Sequence, residues 1–188
     1  MLTLDYNQYW VEINHKSNEV NSLVRSYWHD YSHTGTWQFW FSLILLVLPV
    51  IILFFTVDRK RVFELLFYGY TVHILWTYIS IPLERGGYFI HTYFVSPLLP
   101  FSLNMTASVI PVSYILLYQY CTNRKKNFYL YAIIVGAIFG FGISSIEAAL
   151  GLVEFGDEMS RFYLFIICSS ITIFAYWATR FVLWFKHR

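Results

Sequence analysis

A few ionisable and hydroxyl side chains interrupt apolar stretches of this 188-residue chain, and these are the residues that could do chemistry. Three of them can exchange a proton: His73, Glu84 and Glu147. Four neutral ones can donate or accept hydrogen bonds: Ser80, Asn104, Ser108 and Ser144. A polar group within hydrocarbon is costly unless it is paired, so each needs a partner or a purpose. Carboxylates and an imidazole beside hydroxyls could bind a small polar solute, an ion or a proton.

Helical spacing predicts that these residues share faces. His73, Thr77, Ser80 and Glu84 follow one another at steps of three or four, which is one side of a helix. Asn104 with Ser108, and Ser144 with Glu147, lie at similar spacings in two later apolar blocks. If the three faces converge, they line an outward-facing polar pocket with His73 at its floor.

Each of these residues also has a structural interpretation, and the spacing alone leaves both open. A neutral His73 could bond to a hydroxyl at similar depth, such as Ser169 or Ser170. Glu147 could reach water, pair with Arg85 or Arg161, or stay protonated. Asn104, Ser108 and Gln119 lie on one face with Pro111 and Ile115 and could form interhelical hydrogen bonds.

The elements that must position these residues are membrane-spanning helices. The chain is 57% hydrophobic and 13% charged, with a mean hydropathy of +0.51, whereas soluble domains carry roughly 25% charge. The composition predicts an all-α polytopic transmembrane bundle of five spans, preceded by an N-terminal amphipathic helix within 1–36. The predicted spans cover 37–57, 62–81, 101–121, 128–151 and 161–185. Residues 82–100, opened by Pro82, are predicted as a loop that could hold a re-entrant segment.

Basic clusters follow the first, third and fifth predicted spans, so all of them fall on one side of the membrane. The predicted anchors are Arg59, Lys60, Arg61, Glu64, Arg124, Lys125 and Lys126, with Lys186 and Arg188 at the end of the chain. Glu64 is placed three residues after Arg61 and can pair with it. The positive-inside rule then predicts a multi-pass protein of the cytoplasmic membrane, with its N-terminus outside and its C-terminus in the cytoplasm.

A stripe of small residues marks the fourth predicted span at steps of four: Gly136, Gly140, Ser144 and Ala148. Such a stripe lets two helices approach closely, so we expect it to be a packing surface.

Several stretches together resemble a family of small, uncharacterised multi-pass membrane proteins of Gram-positive spore-forming bacteria. The resemblance rests on Trp40, Pro49, Val57-Asp58-Arg59-Lys60-Arg61 with Glu64, Pro97-Leu98-Leu99-Pro100, Pro111-Val112-Ser113-Tyr114, Leu117-Tyr118-Gln119-Tyr120, Glu147 and Leu150-Gly151. It implies four to five spans with a helical N-terminal extension, and it implies no activity. The chain departs from the family pattern at Ala148, where proline is common, and at Ser102 or Asn104, where an acidic residue is common.

Three functions remain open. The sequence contains no phosphate-binding loop, HExxH, GxSxG or paired Cys/His spacing, so we predict no catalytic residue, metal or cofactor. A net charge of +2 gives no reason to expect nucleic acid as a partner. The predicted partners are the lipid bilayer and another membrane protein or a second copy of the chain, as for an accessory subunit. The alternatives are small-solute or ion binding, transport or sensing in the polar pocket, and an enzyme acting on a lipid or isoprenoid.

Overall fold

The computed structural model of this protein describes residues 5–186, and most of them are helical, as predicted. The helices are α1 (Tyr6–Tyr31), α2 (Trp37–Thr56), α3 (Val62–Arg85), α4 (residues 105–123), α5 (Phe128–Ala149) and α6 (Arg161–Lys186). A 3₁₀ turn, Arg59–Arg61, precedes α3. Two short strands, β1 (Phe89–His91) and β2 (Val153–Phe155), form an antiparallel pair. The predicted anchor Arg188 lies outside the described residues.

Two of the helices contain π-helical stretches, in which the backbone hydrogen bond reaches five residues along the chain. In α4 the stretch is Met105–Val109, followed by α-helix over Ile110–Asn123. In α5 it is Ile138–Ile143, between α-helical Phe128–Ala137 and Ser144–Ala149.

Three helices in the described part of the chain are long and apolar enough to cross a membrane: Trp37–Thr56, Phe128–Ala149 and Arg161–Phe185. A 20-residue helix is about 30 Å long, which is about the thickness of the hydrocarbon core. Much of their apolar surface faces outward, and α2 buries only Phe39 and Ser42. These features are compatible with a membrane location.

Aromatic side chains of α3 and α4 fill the centre of the bundle. Tyr68 of α3 stacks on Tyr118 of α4 with 4.6 Å between ring centroids, and both side chains are fully buried. Phe128 and Tyr176 stack beside them at 4.4 Å and join α5 to α6. The core therefore lies between the helices, while the outer faces of the bundle stay apolar and exposed.

The small-residue stripe of α5 packs against α6. A Cβ on Gly140 would lie 2.7 Å from the backbone of Phe165, and one on Gly136 would lie 2.6 Å from the Ser169 hydroxyl. At Gly140 the neighbour is backbone, so only glycine permits the approach, whereas at Gly136 the Ser169 side chain could move. The close approach at Gly140 is the packing role that the stripe predicts.

One end of the bundle, the basic end, is formed by residues 57–61 and 124–127. Arg61 pairs with Glu64 as the spacing predicts, with 2.6 Å between Nη2 and Oε1. Arg61 Nη1 also donates to Thr122 Oγ1 (3.0 Å) and to Asn123 Oδ1 (2.8 Å), so the two turns lie side by side. The Tyr118 hydroxyl donates to Glu64 at 2.6 Å, which completes a satisfied polar network at the edge of the core.

Gln119 forms one of the interhelical hydrogen bonds that its position predicts. Its Nε2 donates to the Thr56 carbonyl at 3.0 Å, and its Oε1 accepts from the Asp58 backbone N–H at 2.7 Å. The side chain thereby ties the end of α2 to α4.

The opposite end, the sheet end, carries the strand pair and differs from the prediction at Pro82. The prediction that Pro82 breaks the second helix is wrong, because α3 continues to Arg85. Pro82 lies in the last helical turn, where its missing N–H removes a single bond and its own carbonyl still accepts from Gly86 at 2.9 Å. Gly87, with φ of +70°, then turns the chain into β1.

Candidate functional site

A small cavity lies at the sheet end between α3, α4, α5, α6 and strand β1, and it is called the polar cavity here after the two carboxylates and the imidazole in its wall. Most of its surface is nevertheless apolar and comes from Leu83, Phe89, Met105, Ile110, Phe139, Leu164 and Cys168. Its volume is about 40 Å³, enough for a few water molecules. Its polar lining comes from Trp76, Ser80, Glu84, His91, Ser102, Thr106, Ser144 and Glu147. Four of the seven residues predicted to form an outer pocket therefore line it: Ser80, Glu84, Ser144 and Glu147.

The strand pair supplies His91, a site residue that the helical patterns do not reveal. Phe89 pairs with Phe155 and His91 with Val153, and both pairs face the interior, because side chains alternate along a strand. Ile90 and Glu154, paired between them, face the other side. A strand of three residues is too short to show the alternation of apolar and polar side chains that identifies strands in a sequence. In the sequence, only the residue type of His91 indicates that it could belong to a site.

Two carboxylates and one imidazole meet in the cavity. Glu84 Oε1 lies 3.6 Å from His91 Nδ1, close enough for an ion pair when the imidazole is protonated but longer than a hydrogen bond. His91 also lies near enough to Glu147 for their charges to interact. The relative exposure of His91 is 6% and that of Glu147 is 7%, so water reaches neither group freely.

Several buried polar atoms of the cavity have no hydrogen-bond partner among the described residues: Trp76 Nε1, Glu84 Oε1, both ring nitrogens of His91, and Ser102 Oγ. A buried donor or acceptor left unpaired costs about 1–3 kcal/mol, so such atoms are uncommon in folded proteins. Five of the ten such atoms in the described part of the chain line this cavity, and the other five belong to Tyr68, Ser108, Tyr114, Ser169 and Thr172 elsewhere in the bundle.

The two predicted serines lie on α3 and α5. Ser80 Oγ donates to the Thr77 carbonyl at 3.0 Å, and Ser144 Oγ donates to the Gly140 carbonyl at 2.7 Å. Each hydroxyl hydrogen is therefore used by the helix backbone, which leaves oxygen lone pairs available to the cavity. The serines present acceptors, as the carboxylates do.

Asn104 and Ser108 do not line the cavity, which corrects the prediction from helical spacing. That prediction assumes an unbroken α-helix, whereas the π-helical stretch changes the number of residues per turn. Ser102 and Thr106 take their place on the cavity wall. Asn104 instead accepts from the Met105 backbone N–H at 3.0 Å.

His73 does not form the floor of the cavity, and its partner is neither Ser169 nor Ser170. Its Nδ1 lies 2.9 Å from the Thr106 carbonyl, and because a carbonyl only accepts, Nδ1 must carry the proton. In the π-helical register Thr106 would accept from residue 111, which is Pro111 and has no N–H. His73 thus supplies the donor that proline lacks, which is a structural role.

Neither Arg85 nor Arg161 pairs with Glu147 among the described residues. Arg161 instead lies over the Phe155 ring, 5.0 Å from its centroid, and Arg85 is exposed at the end of α3. The carboxylate points into the bundle, so arginines at its rim do not reach it. His91 is the neighbouring residue that can neutralise it.

An open groove of about 360 Å³ lies on the other side of His91, below the C-terminal part of α1. Ser32 fixes α1 there, because its hydroxyl donates to the Phe94 carbonyl (2.9 Å) and accepts from the Phe94 N–H (3.0 Å). Tyr27 and Glu154 line the groove, and partial burial, assisted by nearby tyrosines and Glu154, raises the pKa of the Tyr27 hydroxyl. His91 lines both the cavity and the groove.

No group of three or more His, Cys, Asp or Glu side chains within residues 5–186 is arranged to hold a metal ion. Comparison with protein-family models, curated proteins and solved structures finds no match.

We predict that the His73–Thr106 bond replaces the one that Pro111 cannot make. Replacing His73 with Phe leaves the Thr106 carbonyl unpaired, which should lower the free energy of unfolding by about 1–3 kcal/mol. Replacing Pro111 with Ala restores a backbone N–H, so in that background His73→Phe should have a clearly smaller effect. Thermal unfolding of the two single variants and the double variant in detergent measures the coupling. Additive losses would contradict the assignment.

Proposed function

We propose that this chain is a five-span protein of the cytoplasmic membrane, with its basic end in the cytoplasm. The exposed apolar faces of α2, α5 and α6 support this proposal, and α3 and α4, packed between them, would provide the other two spans. Six cationic and two acidic residues lie within 58–64 and 124–127, and the positive-inside rule favours the cytoplasm for that end. The sheet end and α1 would then face outward.

Cysteine labelling of intact cells tests this orientation. Asp157 and Lys126 are exposed at opposite ends, while the native Cys121 and Cys168 are buried free thiols. A membrane-impermeant maleimide should modify the Asp157→Cys variant directly and the Lys126→Cys variant only after permeabilisation. The unsubstituted chain is the control for background labelling. Labelling of both variants in intact cells, or the reverse pattern, would contradict the proposal.

We further propose that the polar cavity binds a small monovalent cation of about the size of ammonium. The observation that carries this proposal is the set of buried acceptors without a protein partner, which are Glu84 Oε1, the unprotonated ring nitrogen of His91 and Ser102 Oγ; a cation satisfies acceptors of this kind but not the Trp76 N–H. When both carboxylates are ionised, their two negative charges exceed the single positive charge that His91 can carry, so the cavity is then net negative, and the serine oxygens add acceptors. An ammonium ion offers N–H donors to these acceptors and occupies little more space than a water molecule.

The cavity volume separates this function from the alternatives. A space of about 40 Å³ cannot hold an isoprenoid or a lipid tail, so the cavity gives no support to a lipid-modifying enzyme. The groove on the far side of His91 gives a route for a small ion from outside. Since His91 lines both spaces, we expect the route between them to pass its side chain. This arrangement favours sensing or uptake of a small cation.

We predict that ammonium chloride raises the melting temperature of the detergent-solubilised protein in a saturable way. Choline chloride at equal ionic strength should have no such effect, because its cation is larger than the cavity. A ligand at about 100 times its dissociation constant stabilises by about 2.7 kcal/mol, or roughly 5–10 °C for a chain of this length.

A variant of Glu147 tests whether the stabilisation by ammonium comes from binding in the cavity. Glu147→Gln should abolish the difference between ammonium and choline. Glu158→Gln, which removes the same charge from an exposed position at the same end, should retain it. Equal effects of the two salts on the unsubstituted chain, or loss of the difference in both variants, would contradict cation binding in the cavity.

An accessory-subunit role is a second candidate, favoured by α1. No residue of α1 within Tyr6–Tyr31 is buried, and a row of apolar side chains at helical spacing stays exposed. They include Tyr6, Tyr9, Trp10, Val11, Ile13, Val20, Leu23 and Tyr31. Such a face suits a partner protein or the membrane surface.

A further inference from the structure

A large groove at the basic end is separate from the polar cavity. It runs between α3 and α6 and has a volume of about 740 Å³. Phe63, Phe67 and Tyr70 form its α3 side, and Val182 and Leu183 form its α6 side. These walls are apolar and largely exposed, and Phe63 retains 88% of its accessible surface.

The mouth of the groove carries one uncommitted cation. Arg59 lies over the Phe54 ring at 5.7 Å, and Arg61 is neutralised by Glu64. Lys60 lines the groove, and its ammonium group has no partner among the described residues. An anionic group at this mouth would meet a free charge in a region with an excess of cations.

The arrangement of charge and apolar surface suits one class of ligand. A phospholipid has a charged headgroup at one end and acyl chains that need an apolar surface along their length. Basic pockets between helices on the cytoplasmic side of a membrane bind anionic headgroups, whereas zwitterionic lipids gain little from an extra lysine. A soluble anion would use Lys60 but would leave the aromatic walls in water.

We propose that this groove binds one anionic phospholipid, with its phosphate at Lys60 and an acyl chain against Phe67, Tyr70 and Val182. The inference depends on the membrane location proposed above and is independent of the cation cavity. Thr179, buried beside the groove, donates to the Ala175 carbonyl at 2.8 Å, so the groove wall presents no unsatisfied hydroxyl to an acyl chain.

Native mass spectrometry of the full chain, released from micelles with equal amounts of phosphatidylglycerol and phosphatidylcholine, tests the proposal. The unsubstituted chain should retain phosphatidylglycerol in preference to phosphatidylcholine. Lys60→Gln should reduce that preference about fivefold, the contribution of one lysine near a charged headgroup. Lys126→Gln removes a charge from the same end but outside the groove and should leave the preference unchanged.

A second pair of variants tests the acyl-chain part of the site. Val182→Trp fills the groove and should reduce retention of both lipids, while Phe181→Trp, next to it but outside the lining, should not. Equal loss in the two lysine variants would show general surface attraction and overturn the headgroup site. Equal retention of both lipids by the unsubstituted chain, or retention of neither, would overturn it as well. Neither result bears on the membrane location, which the cysteine labelling tests separately.

Discussion

The rest of this structure depends on one constraint. The outer surface of the bundle is apolar, so polar groups inside it must find hydrogen-bond or ion-pair partners within the bundle. Helix α2 illustrates the apolar outer surface, since most of its side chains are apolar and exposed or half-exposed. Inside the bundle, specific pairs provide these partners. Arg61 and Tyr118 hydrogen-bond to Glu64, and His73 donates to the Thr106 carbonyl, which receives no backbone N–H from Pro111. Around the polar cavity some buried polar atoms have no protein partner, as is also true of five side chains elsewhere in the bundle. The cavity differs from those places because it brings two carboxylates and an imidazole together.

The sequence predicts those parts of the site that depend on unbroken helical geometry. Ser80 and Glu84 on α3, and Ser144 and Glu147 on the last turns of α5, reach the cavity as spacing predicts. Pairing of Arg61 with Glu64 and the close approach at Gly140 also follow from local spacing.

The remaining parts depend on tertiary structure that local spacing does not encode. The π-helical stretch at Met105–Val109 rotates Asn104 and Ser108 away from the cavity, and Pro111 is its only visible sign in the sequence. His91 reaches the site through a strand paired with residues more than 60 positions later, as in the pairing of Ile90 with Glu154. The same long-range pairing places β1 in the cavity wall, so this part of the wall could not be predicted from composition or periodicity.

A direct test of cation binding is a crystal structure of the protein grown with thallium(I), an electron-dense substitute for ammonium and potassium. If the cavity binds a cation, an anomalous difference peak lies inside the polar cavity, between Glu84, His91 and Glu147, and crystals of the Glu147→Gln variant show no such peak. An empty cavity beside thallium bound elsewhere, or an unchanged peak in the variant, would contradict it.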